Sequence, residues 1–329
     1  MLTRRHFLST TAAASLAATG AHYAHAQAVE GWPSRPVRVI SPTGSGGPSQ
    51  NFRLYSEQLK ERFGQTFVLE NLPGGSGALG GSQVLRAAPD GHTLLLASNS
   101  HIVLAPLVLP NFPFTYRDFD PIAQLFKFRF LLLASHQLPV KTLADLVAYA
   151  KERPGQLNFG SPGVGTGGHL VTELFVKRTG IQAVHVPYQS TTQQMMAAAA
   201  GTLQFTFDTI GNARGMVEAG KVIPLAVTGA ARSPAAPGMP TFKELGYDGF
   251  DNLFVTNGVL APKGASSTMI KALNGAIARQ NESGPIPERL LQQAYEIGAG
   301  SAEDYAASLA ADDKTWSSVV QETGVRIKT

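Results

Sequence analysis

Short apolar runs alternate along the chain with glycine-rich turns and with segments whose apolar residues recur at helical spacing. The first such unit begins with the run at 37–40, passes through a glycine-rich turn and continues as a helical pattern that ends at Gly64. The clearest unit has a strand at 157–160, a turn at 161–168 and an amphipathic helix that ends at Gly180. Repetition of strand, turn and helix is typical of a mostly parallel sheet with helices packed on it. The pattern therefore predicts an α/β fold.

The same rhythm continues through most of the chain, and its last part is largely helical. We predict further strands at 67–70, 93–97, 183–186, 205–207 and 225–228. We predict further helices at 79–88, 142–150, 190–200 and 211–219, and a largely helical stretch over 265–323. Two long apolar runs, at 126–134 and 255–261, suit strands that cross between two lobes, because such strands are buried along their whole length. We place the hinge of a two-domain protein in these runs.

The N-terminus has the features of a bacterial export signal. Arg4 and Arg5 precede an alanine-rich apolar run that ends near Ala18, and the segment closes on Ala24-His25-Ala26. The apolar run is shorter than the roughly 18 residues that a membrane-spanning helix needs. We therefore predict a signal peptide at residues 1–26 that is cleaved to release the chain into the periplasm. The arginine pair fits the twin-arginine route, and an ordinary Sec signal remains the alternative.

Composition excludes several classes of function. The chain has no cysteine, so it offers no thiol for a lipid anchor, a disulfide, an iron–sulfur cluster or thiolate catalysis. Loss of residues 1–26 removes Arg4 and Arg5 but no acid, so the formal charge falls from +4 to +2. A nearly neutral body without a basic stripe argues against nucleic-acid binding. The 303 residues that remain, with 43% apolar residues in the whole chain, are enough for two cores.

Two segments, at 75–80 and 163–168, match the glycine spacing of dinucleotide-binding turns. Such a site also needs an acid at the end of the next strand to hold the ribose hydroxyls, and neither following strand carries one. We therefore expect no nucleotide and no other cofactor. A glycine-rich turn that opens a helix still presents unpaired N–H groups and a positive dipole end, which favour an anion. Each turn alone is explained by tight turning, but several in one exported chain favour ligand binding.

Catalytic motifs are sparse. The chain has no Gly-x-Ser-x-Gly and no His-Glu-x-x-His, and its five histidines after residue 26 lack the spacing of metal ligands. We therefore predict neither an enzyme nor a metal site. His169 follows a glycine-rich loop, where it either donates to a bound anion or serves in capping and packing. Asp208 follows the strand at 205–207, where it either orders a pocket or caps the next helix.

Taken in chain order, several segments resemble the substrate-binding receptors of tripartite tricarboxylate transporters, the Bug family of periplasmic proteins. The likeness covers nearly the whole chain after residue 26, and its specificity lies in the order and spacing of the segments. The matching segments are Trp32-Pro33-x-x-Pro36-Val37, Gly46-Gly47, Glu70-Asn71-x-Pro73-Gly74, Pro89-Asp90-Gly91-His92-Thr93-Leu94-Leu95, Asn158-Phe159-Gly160-Ser161, Gly163-Val164-Gly165 with His169-Leu170, His185-Val186-Pro187-Tyr188, Ala226-Val227-Thr228, Pro240-Thr241 and Ala261-Pro262.

The resemblance implies a type II periplasmic binding protein fold, in which two α/β lobes close on a ligand held between them. We expect domain 1 at 27–128 and 254–329 and domain 2 at 129–253. The ligand would be a small organic carboxylate: a di- or tricarboxylate, an amino-acid-like acid or an aromatic acid. A monomeric receptor would deliver it to a two-subunit membrane permease. The expected ligand-binding residues are Ser49, Gln50, Ser76, Ser98, Ser161, Gly165, Thr166, His169 and Asp208.

The chain also departs from the family pattern at places that bear on the ligand. Gln50 stands where the family commonly has an acid, and Gln189-Ser190 replaces the usual lysine or glycine after the Val-Pro-Tyr segment. Thr256-Asn257 replaces a frequent Trp-Tyr pair, so an aromatic wall is missing. The identity of the ligand therefore does not carry over. Two rival functions remain open: a ligand-sensing module for a sensor kinase and, with less support, an exported hydrolase.

Overall fold

The computed structural model describes residues 31–43, 47–298 and 300–326. The predicted signal peptide at 1–26 and part of the first glycine-rich turn, at 44–46, lie outside the described residues. The strands are β1 (Val37–Ser41), β2 (Phe67–Asn71), β3 (Thr93–Ser98), β4 (Phe119–Ser135), β5 (Leu157–Ser161), β6 (Ala183–Pro187), β7 (Phe205–Thr209), β8 (Val222–Val227), β9 (Phe254–Pro262) and β10 (Glu296–Ile297). The helices are α1 (Gly47–Phe63), α2 (Ala78–Leu85), α3 (Ala105–Val108), α4 (Leu143–Lys151), α5 (Gly167–Thr179), α6 (Thr191–Ala199), α7 (Ile210–Glu218), α8 (Ser267–Glu282), α9 (Pro285–Gln292) and α10 (Ala302–Thr323).

The strands form two sheets that share the 17-residue strand β4. The first sheet has the order β2-β1-β3-β9-β4, with β1, β2 and β3 parallel and β9 antiparallel to both of its neighbours. Strand β10 adds to β4 in the same sheet. The second sheet has the order β4-β7-β5-β6, with β5, β6 and β7 parallel and β8 added to β4. Strand β4 is therefore the element that joins the two sheets.

Strand β4 changes partners at one point along its length. Arg129 pairs with Phe254 of β9, and the next residue, Phe130, pairs with Thr209 of β7. Apolar side chains dominate this part of the strand, as expected for a segment covered on both faces. The apolar run predicted at 126–134 thus runs through both sheets, whereas the run at 255–261 stays in the first sheet.

Several helices begin at a short polar side chain that caps them. The Thr142 hydroxyl accepts from the Asp145 N–H and the Asp145 carboxylate accepts from the Thr142 N–H, which forms a capping box for α4. Thr166, Ser190 and Thr209 cap α5, α6 and α7 in the same way through single side-chain acceptors. Because α5, α6 and α7 follow strands β5, β6 and β7, these capped ends gather at one edge of the second sheet.

Each strand and helix predicted from the hydrophobic pattern is present, with ends that shift by a few residues. The largest shift is in β4, which begins at Phe119, well before the apolar run predicted at 126–134. Helix α1 also starts early, at Gly47 inside the glycine-rich turn, so that its first turn precedes the apolar pattern. The C-terminal stretch consists of helices α8, α9 and α10 with the short strand β10 between the last two. The α/β prediction is therefore confirmed, while the domain limits at 128/129 and 253/254 stay a prediction.

Candidate functional site

A cavity of about 420 Å³ lies between the two sheets, against their shared strand. It is bounded by the carboxyl ends of β1, β3 and β7 and by the first residues of helices that follow strands, the place where α/β sheets usually bind ligands. Its volume is in the range of sites for small organic molecules. We call the residues carried by elements of the first sheet the first-sheet side, and those carried by the second sheet the second-sheet side.

The floor of the cavity is apolar and comes from alternate residues of neighbouring strands. Strand β4 contributes Phe128 and Phe130, and β9 contributes Val255, with the polar Asn257 two residues further along β9. Residues two apart in a strand point to the same face, so these side chains form one continuous surface. Phe207 of β7 extends it on the second-sheet side. This surface suits the carbon skeleton of a ligand, with polar groups confined to its two ends.

Four helices present their first residues to the cavity: α1 at Gly47, α5 at Gly167, α6 at Thr191 and α7 through its cap Thr209. Gly167 and Gly168 are the first two residues of α5, so their N–H groups have no acceptor within the helix. Each helix start adds a positive partial charge of roughly half an elementary charge. Among the described residues that line the cavity there is no lysine or arginine. Backbone dipoles therefore supply its positive potential.

The loop before α5 is held by side chains that lie behind it. Ser161 is fully buried, donates to the Gly163 carbonyl at 3.0 Å and lies 2.7 Å from Nε2 of His185. His169 accepts from the Gly165 N–H at its Nδ1, at 3.1 Å, and its ring stacks on His185 at 4.0 Å. Burial, with the nearby His169, lowers the pKa of His185 to about 4. The two imidazoles thus form a support for the loop, and neither ring lines the cavity.

Asp208, at the end of β7, lines the cavity on the second-sheet side and is 3% exposed. Its Oδ1 accepts from the Thr209 N–H at 2.7 Å and from Nδ2 of Asn212 at 3.0 Å. Its Oδ2 is buried and has no hydrogen-bond partner. Burial raises the pKa of Asp208 to about 6, against the lowering effect of these two hydrogen bonds. The side chain therefore holds the cap residue Thr209 and Asn212 of α7 and leaves one carboxylate oxygen unused.

The first-sheet side has a different polar set. Ser98 lies 2.8 Å from Nδ1 of the half-buried His101, whose pKa burial lowers to about 4, so this imidazole is uncharged at neutral pH. Asn257 is 2% exposed, and its Nδ2 has no hydrogen-bond partner. Ser41 lines the cavity and accepts from Ser49, which also donates to Asn71. The described residues of this side therefore line the cavity with hydroxyl and amide groups and without a carboxylate.

A smaller cavity of about 120 Å³ adjoins the main one and shares Ser100, His101 and Thr166 with it. Ser76 lines it from the first-sheet side, and Gly165 lines it from the second-sheet side. Ser76 is exposed and adopts a positive φ of 55°, in the turn before α2. The glycine-rich turn at 74–78 thus reaches only this smaller cavity.

The structure divides the predicted ligand-binding residues into three groups. Ser98, Thr166 and Asp208 line the main cavity, and Ser76 and Gly165 line the smaller one. Ser49 and His169 each bond a residue that lines a cavity, Ser41 and Gly165, and Ser161 holds the loop before α5 through the Gly163 carbonyl. Gln50 is exposed on α1 and lines neither cavity.

Sequence reasoning did not select the phenylalanine floor, Tyr295, His101 or Asn257 as site residues. Strand alternation shows which residues share a face but not which face meets a ligand, so the floor gave no separate signal. Tyr295 lies far along the chain from the glycine-rich turns and reaches the cavity between α9 and β10. For Asn257 the sequence did hold one indication of a role in the site, because Thr256-Asn257 replaces the Trp-Tyr pair that is frequent in the family.

The two sides also touch each other beside the cavity. Arg214 of α7 donates to the Gln292 carbonyl at 2.7 Å. Gly211, one turn earlier, packs so closely that a Cβ placed on it would lie 2.4 Å from the Gln293 carbonyl oxygen. The first turn of α7 therefore abuts the end of α9, a helix of the first-sheet side.

Two general features can be stated for residues 31–43, 47–298 and 300–326. No group of three histidine or acidic side chains within them is placed to hold a metal ion. None of the helices in these ranges combines the length and apolar character that crossing a membrane requires.

Comparisons with known proteins agree with this geometry. Residues 51–325 match the model of the tripartite tricarboxylate transporter family receptor. A relative from Cupriavidus necator, the UPF0065 protein in the gbd 5' region, is 31% identical over 336 residues, 98% of each chain. The structure of R. palustris Rpa4515 with adipate has 32% identity and a TM-score of 0.80 over 89% of this chain and 98% of that one.

The structure of the periplasmic binding protein BugD has 28% identity and a TM-score of 0.77, over 90% of this chain and all of that one. The predicted periplasmic binding protein fold is thus confirmed, and so is the expectation of a solute-binding protein in place of an enzyme, because the family consists of periplasmic solute-binding proteins. The chain belongs to the receptor family of the tripartite tricarboxylate transporters, which includes the Bug proteins.

Proposed function

We propose that this protein is a periplasmic receptor that captures a small organic carboxylate and delivers it to a two-subunit permease of the tripartite tricarboxylate type. The observation that carries the proposal is the 420 Å³ cavity, which combines an apolar floor with four helix starts. A carboxylate can be held by backbone N–H groups at helix starts without an arginine. Membership of a transporter receptor family supports delivery, and the adipate in the R. palustris structure supports a carboxylate ligand.

Binding would act through closure of the two lobes. A ligand that touches both sides of the cavity favours the closed state over the open one by its differential contacts. We propose domain 1 at 27–128 and 254–329 and domain 2 at 129–253. The change of partners on β4, from Phe254 at Arg129 to Thr209 at Phe130, supports these limits.

Among the predicted residues, we propose that Ser98, Thr166 and Asp208 contact the ligand. Ser76 and Gly165 would contact a ligand that extends into the smaller cavity. Ser49, Ser161 and His169 would act by supporting the lining, since their bonds lead to residues that face the cavity or to its loops. We also propose cleavage of residues 1–26 during export and a monomeric receptor.

The first experiment is a thermal-shift screen of the protein without residues 1–26. The panel contains mono-, di- and tricarboxylates, amino acids, aromatic acids and uncharged sugars, and calorimetry then measures Kd for each hit. A ligand at about 100 times its Kd adds roughly 2.7 kcal/mol to the free energy of unfolding. Stabilisation by carboxylates and not by sugars is expected, and a panel without any carboxylate hit would contradict the proposal.

Delivery needs a separate measurement. Vesicles that contain the two-subunit permease should take up the labelled ligand only when the loaded receptor is added. Ligand binding without uptake would support the sensory alternative.

A further inference from the structure

The unused oxygen of Asp208 is the starting point. The carboxylate is 3% exposed, lines the cavity and has hydrogen bonds at Oδ1 only. A buried carboxylate oxygen without a donor is costly, since it loses water without replacing it. Such an oxygen in a binding cavity fits a ligand that brings a hydrogen-bond donor.

The position of Asp208 next to α5 limits where that donor sits on the ligand. A Cβ placed on Gly168, the second residue of α5, would lie 3.8 Å from the carbonyl oxygen of Phe207, the residue before Asp208. The start of α5 therefore lies beside the end of β7, and Gly167, Gly168 and Asp208 line the same cavity. A ligand with a donor group next to its carboxylate suits this arrangement, because one end of the ligand then meets both.

The charges of the cavity point the same way. Its lining has three ionisable side chains among the described residues: Asp208, His101 and Tyr295. Burial keeps His101 neutral at pH 7 and raises the pKa of Tyr295, with a further contribution from Asp208. Among the described residues that line the cavity, no side-chain cation offsets the charge of Asp208, which is met by helix dipoles and by the two hydrogen bonds at Oδ1. A plain carboxylate bound beside it meets repulsion that an adjacent ammonium or hydroxyl group relieves.

The rest of the cavity leaves room for the body of such a ligand. Asp208 pairs with Leu131 on β4, and Asn257 pairs with Phe126, five residues earlier. At about 3.3 Å per residue, the two registers lie about 16 Å apart along the strand. The phenylalanine floor occupies this interval, and Nδ2 of Asn257, which has no hydrogen-bond partner, lies at its far end.

We propose that the cavity is built for an α-amino or α-hydroxy carboxylate, with Asp208 as the specificity-determining acceptor for the α-substituent. The carboxylate lies on the N–H groups of Gly167 and Gly168, and the substituent donates to Oδ2 of Asp208. The body of the ligand runs over the phenylalanine floor towards Asn257. This inference rests on the proposed function and narrows its ligand class.

Matched ligands provide the test. Calorimetry at pH 7.5 measures Kd for three series that differ only at the α-carbon: succinate, malate and aspartate; hexanoate, 2-hydroxyhexanoate and 2-aminohexanoate; phenylpropanoate, phenyllactate and phenylalanine. In every series that binds, the substituted members are expected to bind at least tenfold more tightly than the unsubstituted one. Failure of all carboxylates, in this set and in the screen, would contradict the proposed function itself.

The variant Asp208→Asn separates recognition from folding. It keeps Oδ1 as the acceptor for the Thr209 N–H and Asn212 and replaces the acceptor Oδ2 by an uncharged amide NH2 group. The α-amino member is expected to bind about tenfold more weakly and the unsubstituted member more tightly, and such opposite changes cannot come from a misfolded protein. The control is Glu218→Gln, which removes one negative charge from the exposed far end of α7 and should leave every Kd unchanged.

Three results would overturn the inference while leaving the receptor in place. One is equal affinity within every series that binds. Another is an Asp208→Asn variant that weakens all members by the same factor, which would give Asp208 a structural role only. The third is binding of other carboxylates in the screen with none from these series.

Discussion

The two sides of the cavity are built from the same unit of strand, turn and helix, yet they present different charges. The second-sheet side gathers the starts of α5, α6 and α7 around one buried carboxylate, Asp208. The first-sheet side offers the start of α1 with Ser41, Ser98 and Asn257, and none of its described lining residues is an acid. The unit thus supplies a generic site for an anion, and single side chains at strand ends decide what accompanies that anion.

The largest effect is expected where the two sides meet. Gly211→Ala would place a methyl group 2.4 Å from a backbone oxygen of Gln293, a contact that only movement of α7 away from α9 relieves. Overpacking costs about 1–3 kcal/mol, which here opposes closure and weakens the tightest ligand about 5- to 150-fold. Calorimetry measures the affinity, and small-angle scattering with saturating ligand measures the shape.

The matched control is Gly215→Ala, one turn later on the same helix, where an added Cβ meets nothing within 4 Å. This variant should bind as the unchanged protein does and gain slightly in helix stability. If Gly211→Ala and Gly215→Ala bind equally well, the contact between α7 and Gln293 has no part in the bound state.

The next effect concerns the free energy of unfolding. It tests the charge difference between the two sides, which comes from the buried carboxylate of Asp208 on the second-sheet side. The pKa of Asp208 is about 6 in the folded protein and 3.8 as the ordinary value. Between these values the folded state holds a proton that the unfolded chain has released, so this residue lowers stability as pH rises from about 4 to about 6. Asp208→Asn should therefore change little at pH 4 and add roughly 3 kcal/mol at pH 7.5.

Urea unfolding without ligand at pH 4, 5, 6 and 7.5 measures this difference. His101 and His185 titrate in both proteins, so their contribution cancels. The converse variant, Asn257→Asp, adds a buried charge to the first-sheet side and should lower stability at pH 7.5. If the difference in free energy of unfolding between Asp208→Asn and the unchanged protein did not vary with pH, burial would not raise the pKa of the Asp208 carboxyl group.

A smaller effect compares the two glycine-rich turns. Thr166→Asp keeps a good cap for α5 but adds a negative charge to the main cavity, so carboxylate binding should weaken about fivefold, for about 1 kcal/mol. Ser76→Asp makes the same chemical change in the other turn, at an exposed residue that reaches only the smaller cavity. The Kd of the Ser76→Asp variant for the same carboxylate should change by less than about twofold. Equal losses would place both turns at the ligand.

This comparison also shows how far sequence could go. Both turns carry the same spacing of glycines, and the hydrophobic pattern correctly predicted the strand and helix on either side of each. It could not tell which helix start faces the cavity, because that depends on how the two sheets meet on β4. A Cβ on Gly81 in α2 would lie 2.1 Å from the Phe114 ring, whereas one on Gly167 would lie 2.9 Å from Phe130 in the cavity floor. Gly81 thus makes room for core packing, and Gly167 makes room beside the floor of the cavity.

For a related reason, the sequence did not show which of the predicted site residues line the cavity and which only support its lining. Ser98 and Ser161 both end a strand in the first or second sheet, and sequence gives them equal standing. Only the fold shows that Ser98 faces the cavity, while Ser161 turns back to Gly163 and His185. Hydrogen bonds between residues far apart in the chain carry this distinction, and the local pattern does not contain them.

The smallest expected effect on binding tests that distinction directly. Ser161→Ala removes the bond to the Gly163 carbonyl and the contact with His185, so stability should fall by about 1 kcal/mol while Kd changes by less than about twofold. Ser98→Ala should do the reverse, with a loss of affinity of a few-fold, because its hydroxyl lines the cavity beside His101. Urea unfolding without ligand and calorimetry with the tightest carboxylate give the two quantities for each variant. If Ser161→Ala lost affinity without losing stability, Ser161 would belong to the lining, and the loop before α5 would have to turn towards the ligand on binding.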